Sequence, residues 1–185
     1  DLRYGANMIL CKNFNPSDTI SNIGEWYQKC PPARPEHWAD GRSAKTTAEI
    51  WLSGVPTIFE EALKSLGFCA DICSPEYVSR FDNYGGNGRN HDLVFIDKKN
   101  KTLVCVESKV DEPFDKTIQE RIRSAYKELE INPNSKTLMR IADLRNAVFG
   151  DENELQLNLR YQLLFGIAGS ISEAAKQNCT RAVFL

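Results

Sequence analysis

Surplus positive charge is what this chain most plainly lacks: 23 lysines and arginines stand against 25 aspartates and glutamates, a net charge of −2. A protein that grips nucleic acid through a broad electrostatic footprint is usually basic, so a large DNA-binding face is disfavoured. A small metal site is not, because such a site concentrates carboxylates. Histidine is scarce: His37 and His91 are the only two and stand far apart, which speaks against a histidine mechanism. No apolar run is long enough to cross a bilayer, and no basic segment followed by an apolar one opens the chain. GxGxxG and Walker spacings are both missing, so Tyr84–Asn90, with its three glycines, reads as a flexible turn rather than a nucleotide cradle. Zinc lacks a complete donor set. Cys69 and Cys73 have knuckle spacing, but only Cys30 and His37 remain as loose partners for them.

The six cysteines, Cys11, Cys30, Cys69, Cys73, Cys105 and Cys179, are irregularly spaced in a chain of 185 residues, long enough to fold without staples. Cys105, inside Leu-Val-Cys-Val, reads as a small buried hydrophobe. The expectation is a reducing, cytoplasmic setting with no membrane association. Hydrophobic residues at 42% and charged residues at 26% are ordinary for one soluble domain. The chain opens on Asp1 rather than Met and stops on a strand-like Arg181–Leu185, which leaves room for a longer natural chain.

Residues 1–42 read as an irregular and partly helical extension, interrupted by Pro16, Pro31, Pro32 and Pro35, with Asn15–Asp18 expected to cap a short helix towards Tyr27. From residue 43 a single domain is expected. Ser43 would cap a helix whose apolar face is Ala44, Ala48, Trp51 and Leu52. Pro56 would start another that turns Ile58, Ala62, Leu63 and Leu66 inward. Phe68–Arg80 is strand-prone, with Pro75 demoting part of it to an edge or loop. Asp92–Asp97 and Thr102–Glu107 read as a hairpin around Lys98–Lys101. Helical spacing returns after Pro113 at Phe114, Ile118, Ile122, Ala125 and Leu129, then from about Ser135 to Ala147. A last helix spans Leu155 to Lys176, with a break expected at Gly166 or Gly169. The order implies an α/β fold with a central mixed sheet flanked by helices.

A turn centred on Lys99-Asn100 makes paired residues sum to 199, which sets Val94 against Cys105, Ile96 against Leu103 and Asp92 against Glu107, with Lys109 on the same face as Glu107. Two carboxylates facing each other on apolar strands repel, and burial sharpens the repulsion. A lysine neutralises part of that charge. A hard divalent cation does so better, and oxygen donors suit Mg²⁺. Such an ion polarises a phosphoryl oxygen and acidifies a bound water, while the lysine positions that water or stabilises developing negative charge.

Asp92 followed across a hairpin by Glu107-Ser108-Lys109 resembles the D…(D/E)-x-K signature of the PD-(D/E)XK, restriction-endonuclease-like nuclease superfamily. The resemblance implies an αβββαβ core over residues 43–185 and one or two Mg²⁺ (or Mn²⁺) ions. Asp92, Glu107 and the Ser108 carbonyl would hold metal, Lys109 would be the catalytic lysine, and Gln119 would be a supporting glutamine. The implied partner is nucleic acid, DNA first. Oligomeric state, homodimer included, stays open. Glu49 is a reserve acid, its bland reading a solvated helix residue. His91 stands where the signature has proline. Four further blocks resemble a bacterial family without an assigned activity: Gly41–Ala44 with Trp51, Val106–Phe114, Arg160–Leu164 and Ala182–Leu185. Relatives in that family carry glycine at the places of Ser108 and Asp115 and polar residues near Phe165 and Gly166. The resemblance therefore assigns no role to Gln162–Gly166. The rival reading is a non-catalytic module of the same fold that binds nucleic acid or a protein partner.

Overall fold

The computed structural model describes residues 8–110, 112–150 and 153–185. Residues 1–7 of the expected extension and Asp111 of the Val106–Phe114 block lie outside the described residues. Two apolar runs around a lysine-rich turn make the centre of the sheet. Here β3 (Arg89–Asp97) and β4 (Thr102–Val106) pair antiparallel, with Val94 opposite Cys105 and Ile96 opposite Leu103. The turn is fastened by Asp97, whose carboxylate accepts from the Asn100 N–H at 2.8 Å and the Cys69 N–H at 2.8 Å.

On one side of this hairpin β2 (Ile72–Ser79) pairs antiparallel with β3, and β1 (Ile9–Leu10) lies parallel to β2. On the other, β5 (Arg181–Phe184) runs parallel to β4, giving an open mixed sheet in the order β1-β2-β3-β4-β5. Pro75 lies inside β2, where the sequence suggested an edge or loop. The strand tolerates it because β1 covers only Ile72 and Cys73 of β2, and a proline has no N–H to offer an outer neighbour.

Helices cover both faces. On one face α1 (Ile23–Lys29), α2 (Ser43–Ser53) and α3 (Thr57–Lys64) pack Trp26, Ala48, Phe59 and Leu63 against Cys73, Leu93, Phe95 and Val104. On the other, α6 (Tyr161–Lys176) sets Ala174 over Ile72, Val94, Ile96, Leu103 and Cys105. A third cluster joins α6 to α4 (Ile118–Ile131) and α5 (Thr137–Phe149) through Ile118, Ala125, Ile141, Leu144 and Leu164. Among the described residues no helix is long and apolar enough to cross a membrane.

Several helix boundaries differ from expectation, each for a visible reason. The first helix starts at Ile23, because Asn22 rather than Asn15–Asp18 caps it, accepting from the Glu25 N–H at 3.0 Å. Ser43 is the first residue of α2, not its cap. In α3 the inward residues are Phe59 and Leu63, while Ile58 is 78% exposed. The Phe59 ring, 4.8 Å from Trp51 and 4.9 Å from Phe95 between centroids, buries more apolar area than isoleucine would. The helix expected after Pro113 starts only at Ile118, where Thr117 and Glu120 form a reciprocal capping box. Phe114 is left outside it. Lastly, α6 begins at Tyr161 and runs through Gly166 and Gly169 without a break. A Cβ at Gly166 would meet the Phe184 ring at 2.5 Å, so that glycine serves close approach to β5 rather than a break.

Candidate functional site

The site grows out of an irregularity in β2. Glu76 holds a left-handed φ of 47° inside the strand, a conformation that costs energy for any residue but glycine. Its neighbours keep their pairing, Pro75 with Leu93 and Tyr77 with His91, so Glu76 stands opposite Asp92. Alternation of faces breaks there. Cys73 and Leu93 belong to the core under α1–α3. Tyr77 packs into the core under α6, and His91 lies against Gly169 of α6. The ladder of β3 and β4 ends one pair short of the next position, at Leu93 with Val106. Glu76 on β2 and Asp92 on β3 are thus neighbours, roughly 5 Å from strand to strand, and Glu107 follows directly on the end of β4 beside Asp92.

The row opens into a cleft of about 320 Å³. Its walls come from both sides of the sheet: Pro32, Ala33, His37, Arg42, Ser43 and Ala44 towards α2, and Gln162 from the first turn of α6. Arg89, Asn90, Lys109 and Glu112 complete the polar lining.

Charge is unevenly shared. Glu107 takes nearly all the donors: the Arg89 guanidinium and the Gln162 amide donate to it, and Lys109 Nζ lies 2.9 Å from its Oε1. Asp92 accepts the Ser108 N–H at 2.5 Å, and Glu76 the Asn90 amide at 2.6 Å. Burial, and then repulsion by Glu107, push Asp92 up to about 7. Glu76 is likewise raised to about 7, by burial first and then by Asp92 and Glu107. His91 goes the other way. It is fully buried, and desolvation with Arg89 nearby lowers it to about 3, so it is neutral and outside the cleft lining.

Three of the four proposed functional side chains meet here. Asp92, Glu107 and Lys109 line one cleft, with Ser108 bonded to Asp92. Gln119 does not join them. It is exposed on the first turn of α4, and Gln162 is the glutamine that reaches Glu107. Glu49 is exposed on α2, 3.8 Å from Lys45, and is not among the residues that line this cleft. Sequence reasoning missed Glu76, Arg89 and Gln162. Arg89 was read as part of a turn, although β3 begins there. A signal did exist for Gln162: Arg42, Ser43 and Ala44, Glu107, Lys109 and Glu112, and Gln162 come from three of the four similar blocks, and all line the same cleft. The fourth block closes the end of β4, where Glu107 N–H donates to Leu185 O at 2.9 Å.

Glu76, Asp92 and Glu107 are hard oxygen ligands with more negative charge than Arg89 and Lys109 neutralise, which suits Mg²⁺ or Mn²⁺. Among the described residues no three His, Cys, Asp or Glu side chains are gathered as a ready-made cage. All six cysteines are free thiols.

A family model described as a domain of unknown function (DUF6946) matches residues 19–185. Neither curated proteins nor solved structures give a match.

Proposed function

The chain belongs to the DUF6946 family, and we propose that it is a Mg²⁺-dependent phosphodiesterase of the PD-(D/E)XK type that hydrolyses nucleic acid, DNA first. The observation that carries this reading is the row Glu76, Asp92, Glu107 with Lys109 on Glu107, open to a cleft between two helix starts. The succession of helix, three strands, helices and a final strand parallel to β4 is similar to the restriction-endonuclease-like αβββαβ core and supports it.

Asp92, Glu107 and the Ser108 carbonyl would hold the ion, which when bound supplies a Lewis acid for the phosphoryl oxygen and an acidified water. The chain's own residues do the rest. Lys109 is poised beside Glu107 to orient the attacking water and to balance negative charge as the phosphorus centre becomes crowded. Gln162 and Arg89 fix the Glu107 carboxylate. The apolar core beneath the row, Leu93 and Val94 at 0% exposure, keeps bulk water out and strengthens each of these interactions.

One observation favours the rival, a non-catalytic module of this fold: Arg89, Lys109 and Gln162 together satisfy Glu107 without an ion. Incubation with linear, circular, single-stranded and branched DNA in Mg²⁺ or Mn²⁺ separates the two. Cleavage by the wild type that disappears in Lys109→Ala supports the enzyme. No cleavage on any substrate, together with no calorimetric Mg²⁺ binding, leaves the module.

A further inference from the structure

We propose that Phe114 is a positioning residue for Lys109: the face of its ring, together with the Glu107 carboxylate, holds the lysine ammonium beside the acidic row. The catalytic task of Lys109 rests on the hydrolytic reading, whereas its seat against the ring does not.

Phenylalanine is usually placed by burial. Phe114 is not: it precedes α4 and is 39% exposed, so the core does not account for it. Its contact is with Lys109, whose Nζ lies over the ring, 5.9 Å from the centroid, and 2.9 Å from Glu107 Oε1. The face of an aromatic ring carries partial negative charge and attracts an ammonium within about 6 Å, an attraction that an aliphatic side chain lacks. Lysine is a compact charge on a flexible stem, so a single partner restrains it poorly. A carboxylate oxygen and a ring face together confine it to a much smaller region. A group that must meet an attacking water in one geometry gains from such restraint, since a small misplacement slows the reaction.

The segment that carries the ring is itself anchored to the site. Asp115 N–H donates to Gln162 Oε1 at 3.4 Å, and Asp115 O accepts from the Arg160 guanidinium at 3.2 Å. Lys116 O accepts the Tyr161 N–H at 3.0 Å, and Thr117 forms a bridge with Arg160. Gln162 in turn donates to Glu107 Oε1, the same oxygen that Lys109 meets. The contacts close a circuit: Glu107 to Gln162, Gln162 to Asp115, the adjoining Phe114 to Lys109, and Lys109 back to Glu107. The start of α6 thereby sets where the ring lies relative to the acidic row. Phe114 and Gln162, which come from two separate blocks of the sequence, restrain the two members of the Lys109–Glu107 pair.

Nuclear magnetic resonance of the metal-free protein tests the seat. The ring current of Phe114 should move the Lys109 ε-methylene protons upfield in wild type and in Phe114→Tyr, and Phe114→Leu should return them towards the position of an exposed lysine. Unshifted Lys109 protons in wild type overturn the proposal without recourse to any variant. Cleavage kinetics in Mg²⁺ test the consequence. Phe114→Leu should lower kcat about two- to fivefold at unchanged KM, the range that an exposed contact between a cation and a ring face supports. Phe114→Tyr should keep the wild-type rate. Equal losses in the two variants would make the ring a packing element alone. A rise in KM alone would place the ring on the substrate, and full activity in Phe114→Leu would leave Lys109 held by Glu107 without its help. Each of these three outcomes overturns the positioning role. A wild type that shows the upfield shift and cuts no nucleic acid keeps the seat and removes the hydrolytic reading, and with it the task of the lysine.

Discussion

Glu76 and Asp92 each titrate near 7, raised from ordinary values of 4.5 and 3.8 by burial and by neighbouring carboxylates. A carboxyl whose folded value exceeds its unfolded value binds more protons folded than unfolded, so its contribution to stability is lost as pH rises between the two. In chelator-treated protein, urea midpoints should show Glu76→Gln gaining on wild type between about pH 5 and pH 8, because the amide has no proton to lose. A gap between them that is flat across that range would contradict the burial of Glu76. Glu107 has its charge met by Arg89 and Lys109. Glu107→Ala would strand Arg89, whose side chain is 9% exposed against 5% for Glu107, and should cost about 3–5 kcal/mol in urea denaturation. Asp92, Glu107 and Lys109 were legible because carboxylates on apolar strands are conspicuous. Glu76 was not, because its position depends on a left-handed turn inside β2 that no local pattern announces.

Among the secondary-structure elements, the hairpin was read most accurately. Two continuous apolar runs mark the strands and the position of the turn between them sets the register, and the observed pairs of Val94 with Cys105 and Ile96 with Leu103 follow it. Helix starts were read less well, since a cap is a hydrogen bond between neighbours rather than a hydropathy pattern. The capping box at Thr117 and Glu120 moved α4 past Pro113, and Thr117→Ala should lower stability by about 1 kcal/mol. Glycines in α6 misled for a related reason: the feature that calls for them lies on another element. A Cβ at Gly166 would fall 2.5 and 2.6 Å from atoms of the Phe184 ring. Gly166→Ala should therefore push β5 off α6, despite alanine's better helix propensity, and destabilise by about 1–3 kcal/mol in denaturant melts. A stabilised Gly166→Ala would mean that the ring swings aside at no cost.

At the scale of the whole molecule, the cleft exists only because the chain folds: its lining runs from Pro32 to Gln162, drawn from both faces of the sheet. That separation explains why a linear reading found the motif but not its surroundings. It also makes ion binding a report on the folded state. The unfolded chain holds Glu76, Asp92 and Glu107 apart, so a cation that binds the folded cleft stabilises it by mass action, about 2.7 kcal/mol at a hundredfold excess over its Kd. For a chain of 185 residues that corresponds to a rise in Tm of roughly 5–10 °C. Because Asp92 and Glu76 must lose protons to accept the ion, the rise should be larger at about pH 8 than at about pH 6. Asp92→Asn should abolish it, and Glu49→Gln, exposed on α2, should leave it intact. Melts that rise equally in Mg²⁺ for wild type and Asp92→Asn would place the cation elsewhere on the surface and remove the ion from this cleft.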